Sequence, residues 1–249
     1  MMKLVLLGTT GYHPNEQRHT PCMLLPECGA MFDAGTAMFR AARFLATPTL
    51  DIFLTHAHLD HIIGLTYLFS AVRQHPLERI RVFGEADKLA AIDEHLFSEH
   101  IFPVRPPMEF CPLQDGEPVE VMAGGRVSHF PLRHVGGAVG YRVDWPDRSM
   151  AYVTDTTADP EAGYVERIRG VDLLVHECYF PDGHEDWAAK TGHSCTTPVA
   201  QVARAAEVGR LVIVHVDPVV TEADPIGLVV ARRIFLNTEL GSDLQVIEF

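Results

Sequence analysis

The chain has 249 residues, 47% of them apolar, which is enough for a sizeable core. Its net charge of −13 argues against nonspecific binding to nucleic acid or to an anionic membrane surface. No apolar run reaches membrane-spanning length. The five scattered cysteines, Cys22, Cys28, Cys111, Cys178 and Cys195, include no C-x-x-C pair, so no disulfide framework and a reducing, cytoplasmic setting are expected.

Residues 3–7 read as a first strand; the apolar start is too short for a signal sequence. A polar loop covers 8–20. Cys22–Leu25 and Ala30–Asp33 read as paired strands around the turn Pro26-Glu-Cys-Gly29. Residues 36–46 have helical spacing and stop before Thr47-Pro48. Asp51–Thr55 is a buried strand, and His61–Val72 reads as one helix. Arg79–Phe83 is a strand, and Glu85–Phe97 is a helix with Leu89, Ile92 and Leu96 on one side. The proline-rich stretch 98–118 is expected to be irregular or edge-like, with a strand at Pro118–Met122.

In Arg126–His134, alternation puts Ser128, Phe130, Leu132 and His134 on one face. Ala138–Trp145 and Ser149–Thr154 form a hairpin around Pro146-Asp-Arg148. A helix is expected at 159–170 and a strand at Val171–Val175, ending in His176-Glu177. Residues 180–196 are read as a polar loop carrying Trp187 and His193. Thr197–Val208 is a helix with Pro198 in its first turn, and Leu211–Val214 is a strand ending in His215. A last helix is expected at 224–238, and Asp243–Phe249 is expected to close a sheet.

The chemistry concentrates in Thr55-His-Ala-His-Leu-Asp-His61. His56, His58, Asp60 and His61 follow a buried strand directly, which is where α/β proteins place reactive groups. Imidazole and carboxylate together suit zinc, manganese or iron. Four apolar runs stop at a potential ligand or acid: Ile52–His56, Met150–Asp155, Leu173–Glu177 and Leu211–His215. Buried strands would carry these groups to a common sheet edge.

These residues resemble the metallo-β-lactamase superfamily, and within it the ribonuclease Z-like branch. The resemblance rests on H-x-H-x-D-H at His56, His58, Asp60 and His61, on His134, on Asp155 in Val153-Thr-Asp-Thr156, and on His215 in Val214-His-Val-Asp217. The branch is marked by Thr191-Gly-His-Ser-Cys-Thr-Thr-Pro198, by Leu7-Gly-Thr9 and by Thr20-Pro-Cys-Met-Leu-Leu25. It implies an α/β fold, a four-layer αβ/βα sandwich with the metal site at the sheet edge, formed by residues 1–249 as a single domain. It implies two divalent metal ions, zinc first with manganese or iron as alternatives. His56, His58 and His134 would hold one ion, and Asp60, His61 and His215 the other, with Asp155 between them. His193 would be the general acid, Glu177 would orient its ring, and Asp60 would also orient the nucleophilic water.

One feature departs from the branch. The tRNA-gripping arm of bacterial ribonuclease Z falls between the third histidine and the bridging aspartate, and here a short hairpin joins His134 to Asp155. The spacing resembles the compact phosphodiesterases of the branch. The expected activity is therefore hydrolysis of small or cyclic phosphodiesters. RNA 3′-end processing is disfavoured, and hydrolysis of a thioester, lactone or sulfate ester is a further alternative. The full second ligand set argues against a single-iron oxygenase, and a non-enzymatic metal-bound scaffold ranks last. A homodimer is implied by the branch, and a membrane partner is not.

The remaining histidines have plainer readings. His129 has the opposite parity from His134, and His176 points away from Glu177. His75, His95 and His100 are structural or surface groups. His13 and His19 are candidate pocket-lining residues. Trp187 and Lys190 are read as a packed loop anchor rather than a lid, and Cys195 as structural.

Overall fold

The computed structural model describes residues 2–249. In chain order the strands are β1 Lys3–Gly8, β2 Cys22–Leu25, β3 Ala30–Phe32, β4 Thr49–Phe53, β5 Arg79–Gly84, β6 Glu109–Pro112 and β7 Val119–Glu120. They continue with β8 Arg126–Leu132, β9 Ala138–Asp144, β10 Ser149–Val153, β11 Leu173–Glu177, β12 Arg210–Val214, β13 Thr238–Leu240 and β14 Gln245–Glu248. The α-helices are α1 Leu59–Ile62, α2 Leu68–Gln74, α3 Ala86–Ala91, α4 Tyr164–Arg167, α5 Glu185–Thr191, α6 Thr196–Ala205 and α7 Leu228–Ile234.

Two seven-stranded mixed sheets form, ordered β14-β1-β2-β3-β4-β5-β6 and β13-β12-β11-β10-β9-β8-β7. In the first sheet the pairings are antiparallel from β14 to β3 and parallel from β3 to β6. The second sheet repeats the scheme, antiparallel from β7 to β10 and parallel from β10 to β13. Period-two alternation decides what lies between them. On β1, Leu4 and Leu6 join a cluster shared with Phe32, Phe53, Tyr141 and Tyr152, whereas Val5 and Leu7 face the other way. That second face packs against Met38, Leu65, Leu68 and Leu89 from helical segments. A third cluster joins β10–β12 to Tyr164, Val199 and Ala203. The order is therefore helices, sheet, sheet, helices, the four-layer αβ/βα sandwich that the resemblance implies. Phe53 lies at its centre, with ring centroids 4.9 Å from Phe83 and 5.6 Å from Tyr141. Such buried aromatics contribute about 1.5–3 kcal/mol each, and truncating one costs about 3–5 kcal/mol.

Several expectations are corrected. The helix expected at His61–Val72 breaks into α1, a 3-10 turn at Ile63–Tyr67 and α2. Gly64 explains the break, because an added Cβ would lie 2.3 Å from the Gly35 carbonyl and 2.5 Å from Met38 Cβ. The segment bends there to pack against the 3-10 helix Thr36–Arg43, which itself replaces the helix expected at 36–46. The helix expected at 159–170 shrinks to α4, since Pro160 and Gly163 interrupt its start. The loop at 180–196 contains α5, and the last helix ends at Ile234 so that Thr238–Leu240 can join the second sheet as β13. The proline-rich stretch does supply an edge strand, β6, and β14 closes the first sheet beside β1.

The four chemistry-bearing strand ends do not share one sheet. β4 belongs to the first sheet and β10, β11 and β12 to the second. Their C-terminal ends converge, so the cluster forms where the two parallel halves meet.

Candidate metal centre

Strand β4 ends at Phe53 and delivers Thr55–His61 as a loop entering α1. His58 precedes the first residue of α1, Asp60 lies in its first turn and His61 points inward, fully buried. His134 follows β8, Asp155 follows β10 and His215 follows β12. His56, His58, His134 and Asp155 converge, and so do Asp60, His61 and His215; a third, overlapping set joins Asp155 and His215 to His193.

Asp155 joins the groups through different oxygens. Its Oδ1 lies 3.8 Å from His56 Nε2 and 3.8 Å from His134 Nε2. Its Oδ2 lies 3.2 Å from His61 Nε2 and 3.4 Å from His215 Nε2. Asp60 Oδ2 completes the second group, 3.4 Å from His61 Nε2 and 3.6 Å from His215 Nε2. Imidazole nitrogens also face one another, His61 and His215 at 3.3 Å, and His58 and His134 at 3.4 Å. His56 Nε2 is buried with no hydrogen-bond partner among the described residues. Paired ring nitrogens and an orphaned buried acceptor fit a cation, because each would otherwise carry a desolvation cost.

Outer contacts fix the rings. Asp33, fully buried, accepts from His61 Nδ1 at 2.8 Å, which leaves Nε2 facing the group. Asp33 also accepts from the Thr55 amide at 2.8 Å and the Tyr152 hydroxyl at 3.0 Å. His134 Nδ1 donates to the Gly192 carbonyl at 3.1 Å. Gly192 caps α5 at φ +76°, and a Cβ there would sit 2.7 Å from His134 Nδ1, so both its conformation and its contact require glycine. Thr55 Oγ1 lies 3.1 Å from His56 Nδ1. Asp33, Asp155 and His215 all have left-handed backbones, with φ of 57°, 50° and 57°.

Charge follows this packing. Burial holds His56 well below the usual imidazole range, and the neighbouring His61 adds to the effect. Burial also lowers His58 and His134. His61 goes the other way: burial opposes its charge, but Asp155, Asp60 and Asp33 outweigh that and hold it well above the range. Burial would raise Asp155 and Asp60, yet the surrounding histidines keep both carboxylates well below their usual range.

His193 sits at the edge of this cluster, Nδ1 3.2 Å from Glu177 Oε1 and 3.9 Å from Asp155 Oδ1. Burial disfavours its charge, but Glu177 outweighs burial and the ring is pushed up to about 9. Tyr179 stacks on it, with centroids 4.8 Å apart. Glu177 is fully buried and fixed from both sides, accepting the Thr156 amide at 2.8 Å and the Ser194 amide at 3.3 Å.

All nine singled-out residues therefore come together. Other expectations fare differently. His13 bonds its own neighbour's carbonyl, and His19 faces Thr36, outside both groups. The first loop contributes through a backbone instead: the Tyr12 amide donates to Asp60 Oδ2 at 2.8 Å. His176 is buried against Tyr164 on the far face of β11, as its parity requires. His129 faces Asp115. Cys195 is buried and its thiol is raised to about 11 by desolvation, which fits a structural role. Trp187 is not a packed anchor: it is 56% exposed on α5, and Lys190 Nζ lies 4.8 Å from its ring. Asp33, Thr55 and Tyr152 went unrecognised in the sequence, and the one signal was an aspartate ending a fully apolar strand.

Residues 30–216, well over half of the chain and the span holding all nine residues, match the beta-lactamase superfamily domain model. The chain belongs to this superfamily. Its members' fold and the His/Asp cluster make it a metal-dependent hydrolase with a divalent-metal site. Over its full length this superfamily member is 27% identical to a ribonuclease Z of Archaeoglobus fulgidus, with 98% of that protein covered. The alignment runs over 307 positions, so the relative carries insertions absent from these 249 residues. The metallo-beta-lactamase fold protein YhfI of Bacillus subtilis superimposes with a TM-score of 0.80 at 19% identity, covering 100% of this chain and 99% of that one. A diphosphatase of the PhnP family superimposes with a TM-score of 0.76 at 20% identity, covering 100% and 97%. Among the described residues, no helix is long and apolar enough to cross a membrane.

Proposed function

We propose that the protein is a cytoplasmic phosphodiesterase with two divalent ions, zinc first, acting on small or cyclic phosphodiesters, and that residues 1–249 form one domain without a tRNA-gripping arm. The observation that carries this reading is Asp155, whose two oxygens face two separate groups of ligands at 3.2–3.8 Å. His56, His58 and His134 would hold one ion and Asp60, His61 and His215 the other, with Asp155 facing both groups. Bound ions of this kind lower the pKa of a ligated water toward ~7 and offset charge on a phosphodiester during in-line displacement.

The chain's own groups do the rest. Asp60, fixed by the Tyr12 amide, orients the attacking water. Glu177 holds His193 through Nδ1 and favours its protonated form, from which Nε2 would give a proton to the leaving oxygen. Because Glu177 is itself pinned by two backbone amides, the acid is positioned without further rearrangement.

Turnover of bis(p-nitrophenyl) phosphate by zinc- or manganese-loaded protein tests the reading. Asp60→Ala abolishes turnover, and His193→Ala lowers it by about 100-fold or more. Metal-replete protein that turns over no diester overturns it and favours another ester class. The name of the Archaeoglobus relative supports a second reading, RNA 3′ processing. The insertions missing here and the charge of −13 weigh against it, and comparing precursor tRNA with cyclic nucleotides separates the two. A homodimer belongs to the same proposal, with the exposed Phe39 and Phe69 as the apolar face to cover, and sedimentation measures it.

A further inference from the structure

His193 has two carboxylates near one nitrogen. Its Nδ1 lies 3.2 Å from Glu177 Oε1 and 3.9 Å from Asp155 Oδ1. The first contact leaves Nε2 as a proton donor. The second draws the ring toward a ligand set, because His193, Asp155 and His215 bring donor atoms within 4.8 Å of one another. The backbone does not decide between them. The His193 amide donates to the Ala188 carbonyl at 2.9 Å and the Ser194 amide to Glu177 Oε2 at 3.3 Å, which fixes the main chain but not the side-chain torsions.

One ring lies flat against the imidazole. Tyr179 follows the end of β11 by two residues. The Tyr179 and Phe180 amides both donate to the Ser194 carbonyl at 3.1 Å, and Phe180 forms a bridge with Cys195, so this segment runs alongside His193. The Tyr179 and His193 rings are thereby stacked, with centroids 4.8 Å apart and planes 19° apart. The neighbouring His134 and His215 rings meet the imidazole at 51° and 31°, with centroids at 5.5 Å and 5.3 Å. Tyr179 is itself buttressed: Phe180 packs edge-on against it at 4.8 Å, and His184 stacks on Phe180 at 5.8 Å. Burial, with Asp217 and Asp60 nearby, holds the Tyr179 phenol above its ordinary range, so its ring stays neutral. A neutral aromatic face attracts a protonated imidazole. Turning that imidazole about Cβ–Cγ tilts its plane and gives up the stacked contact.

We infer that Tyr179 is a positioning residue, whose ring keeps His193 on Glu177 as the proton donor and out of the metal-ligand set. The hold on the ring stands on geometry alone, whereas its use in proton transfer rests on the phosphodiesterase reading. In that transfer the ester P–O bond breaks, its electron pair goes to the leaving oxygen, and the Nε2 proton joins that oxygen. The imidazole then regains the proton that the attacking water loses.

The first measurement compares methyl p-nitrophenyl phosphate with methyl phenyl phosphate on zinc-loaded protein. Phenolate is the stronger base and needs the donated proton more. Tyr179→Leu is expected to lose about tenfold more kcat on the phenyl ester than on the p-nitrophenyl ester. Tyr179→Phe, which keeps the ring, restores the parent's ratio. The second measurement needs no turnover: proton NMR of cobalt-loaded protein, in which each bound imidazole gives a strongly shifted N–H resonance. Tyr179→Leu gains one such resonance, Tyr179→Phe does not, and adding His193→Gln to Tyr179→Leu removes it. Equal losses on the two esters overturn the inference, and so does an unchanged NMR spectrum. A Tyr179→Phe variant that behaves like Tyr179→Leu overturns it as well. The new resonance in a protein that hydrolyses no diester upholds the hold on His193 and refutes the phosphodiesterase reading.

Discussion

The two halves of the metal centre are built differently. In the deeper half, His61 and His215 are buried, and His61 is tied to the fold by a fully buried carboxylate, Asp33, which also holds Thr55 and Tyr152. In the shallower half His58 is exposed and His134 half-buried, and the outer contacts are a hydroxyl on His56 and a backbone carbonyl on His134. The difference teaches that one half is part of the core while the other is attached to it. Damage to the deeper half should therefore reach stability, and damage at His58 or His134 in the shallower half should reach metal content and turnover alone.

The largest effect is expected where the halves join. Asp155→Ala removes the carboxylate facing both, so metal content by mass spectrometry falls to near zero and diester turnover vanishes. Retention of one tightly bound ion would break the idea that the halves depend on a shared group. Next comes Asp33→Ala, which strands His61 and three other donors in the interior. Urea unfolding should show a loss of about 3 kcal/mol or more. A loss below about 1 kcal/mol would erase the distinction between core and attachment. His58→Ala should cost less than about 1 kcal/mol of stability while lowering metal content, by one of the two ions proposed, since its ring is solvent-facing.

The smallest effect belongs to a histidine outside both halves. His176 is buried against Tyr164, and desolvation lowers its pKa below the ordinary value near 6.5. Below that value the unfolded chain takes up a proton that the folded one does not, so stability falls as pH drops. His176→Gln should reduce the loss between about pH 7 and about pH 5 by less than about 1 kcal/mol, read from urea midpoints. An unchanged pH dependence would show that His176 makes no contribution to it.

The sequence disclosed the candidate ligands well, because four lie in one local motif and three end apolar strands. Parity placed His176 away from the site, whereas His134 reaches it only because β8 has ended: Phe130 and Leu132, which share its parity, pack on the outer face with Tyr164. It disclosed the supporting groups poorly. Asp33 reaches His61 only because β3 and β4 pair in parallel and bring both strand ends side by side. Tyr152 reaches the same carboxylate from the opposite sheet, a contact that no local spacing encodes. The broken helix after His61 depended on how closely Gly64 approaches Gly35, and α5 was hidden in a polar stretch because only Ala188 of it is buried.

The left-handed backbones of Asp33, Asp155 and His215 carry one more implication. Each costs about 1 kcal/mol relative to a glycine, which adopts that geometry freely. At Asp155 and His215 a glycine would recover that backbone cost but leave a buried void and strip His61 of a partner, so the two effects oppose one another. A library ranked only by melting temperature would be partly blind to the loss of these side chains, so an engineer stabilising this protein needs a turnover screen at every round.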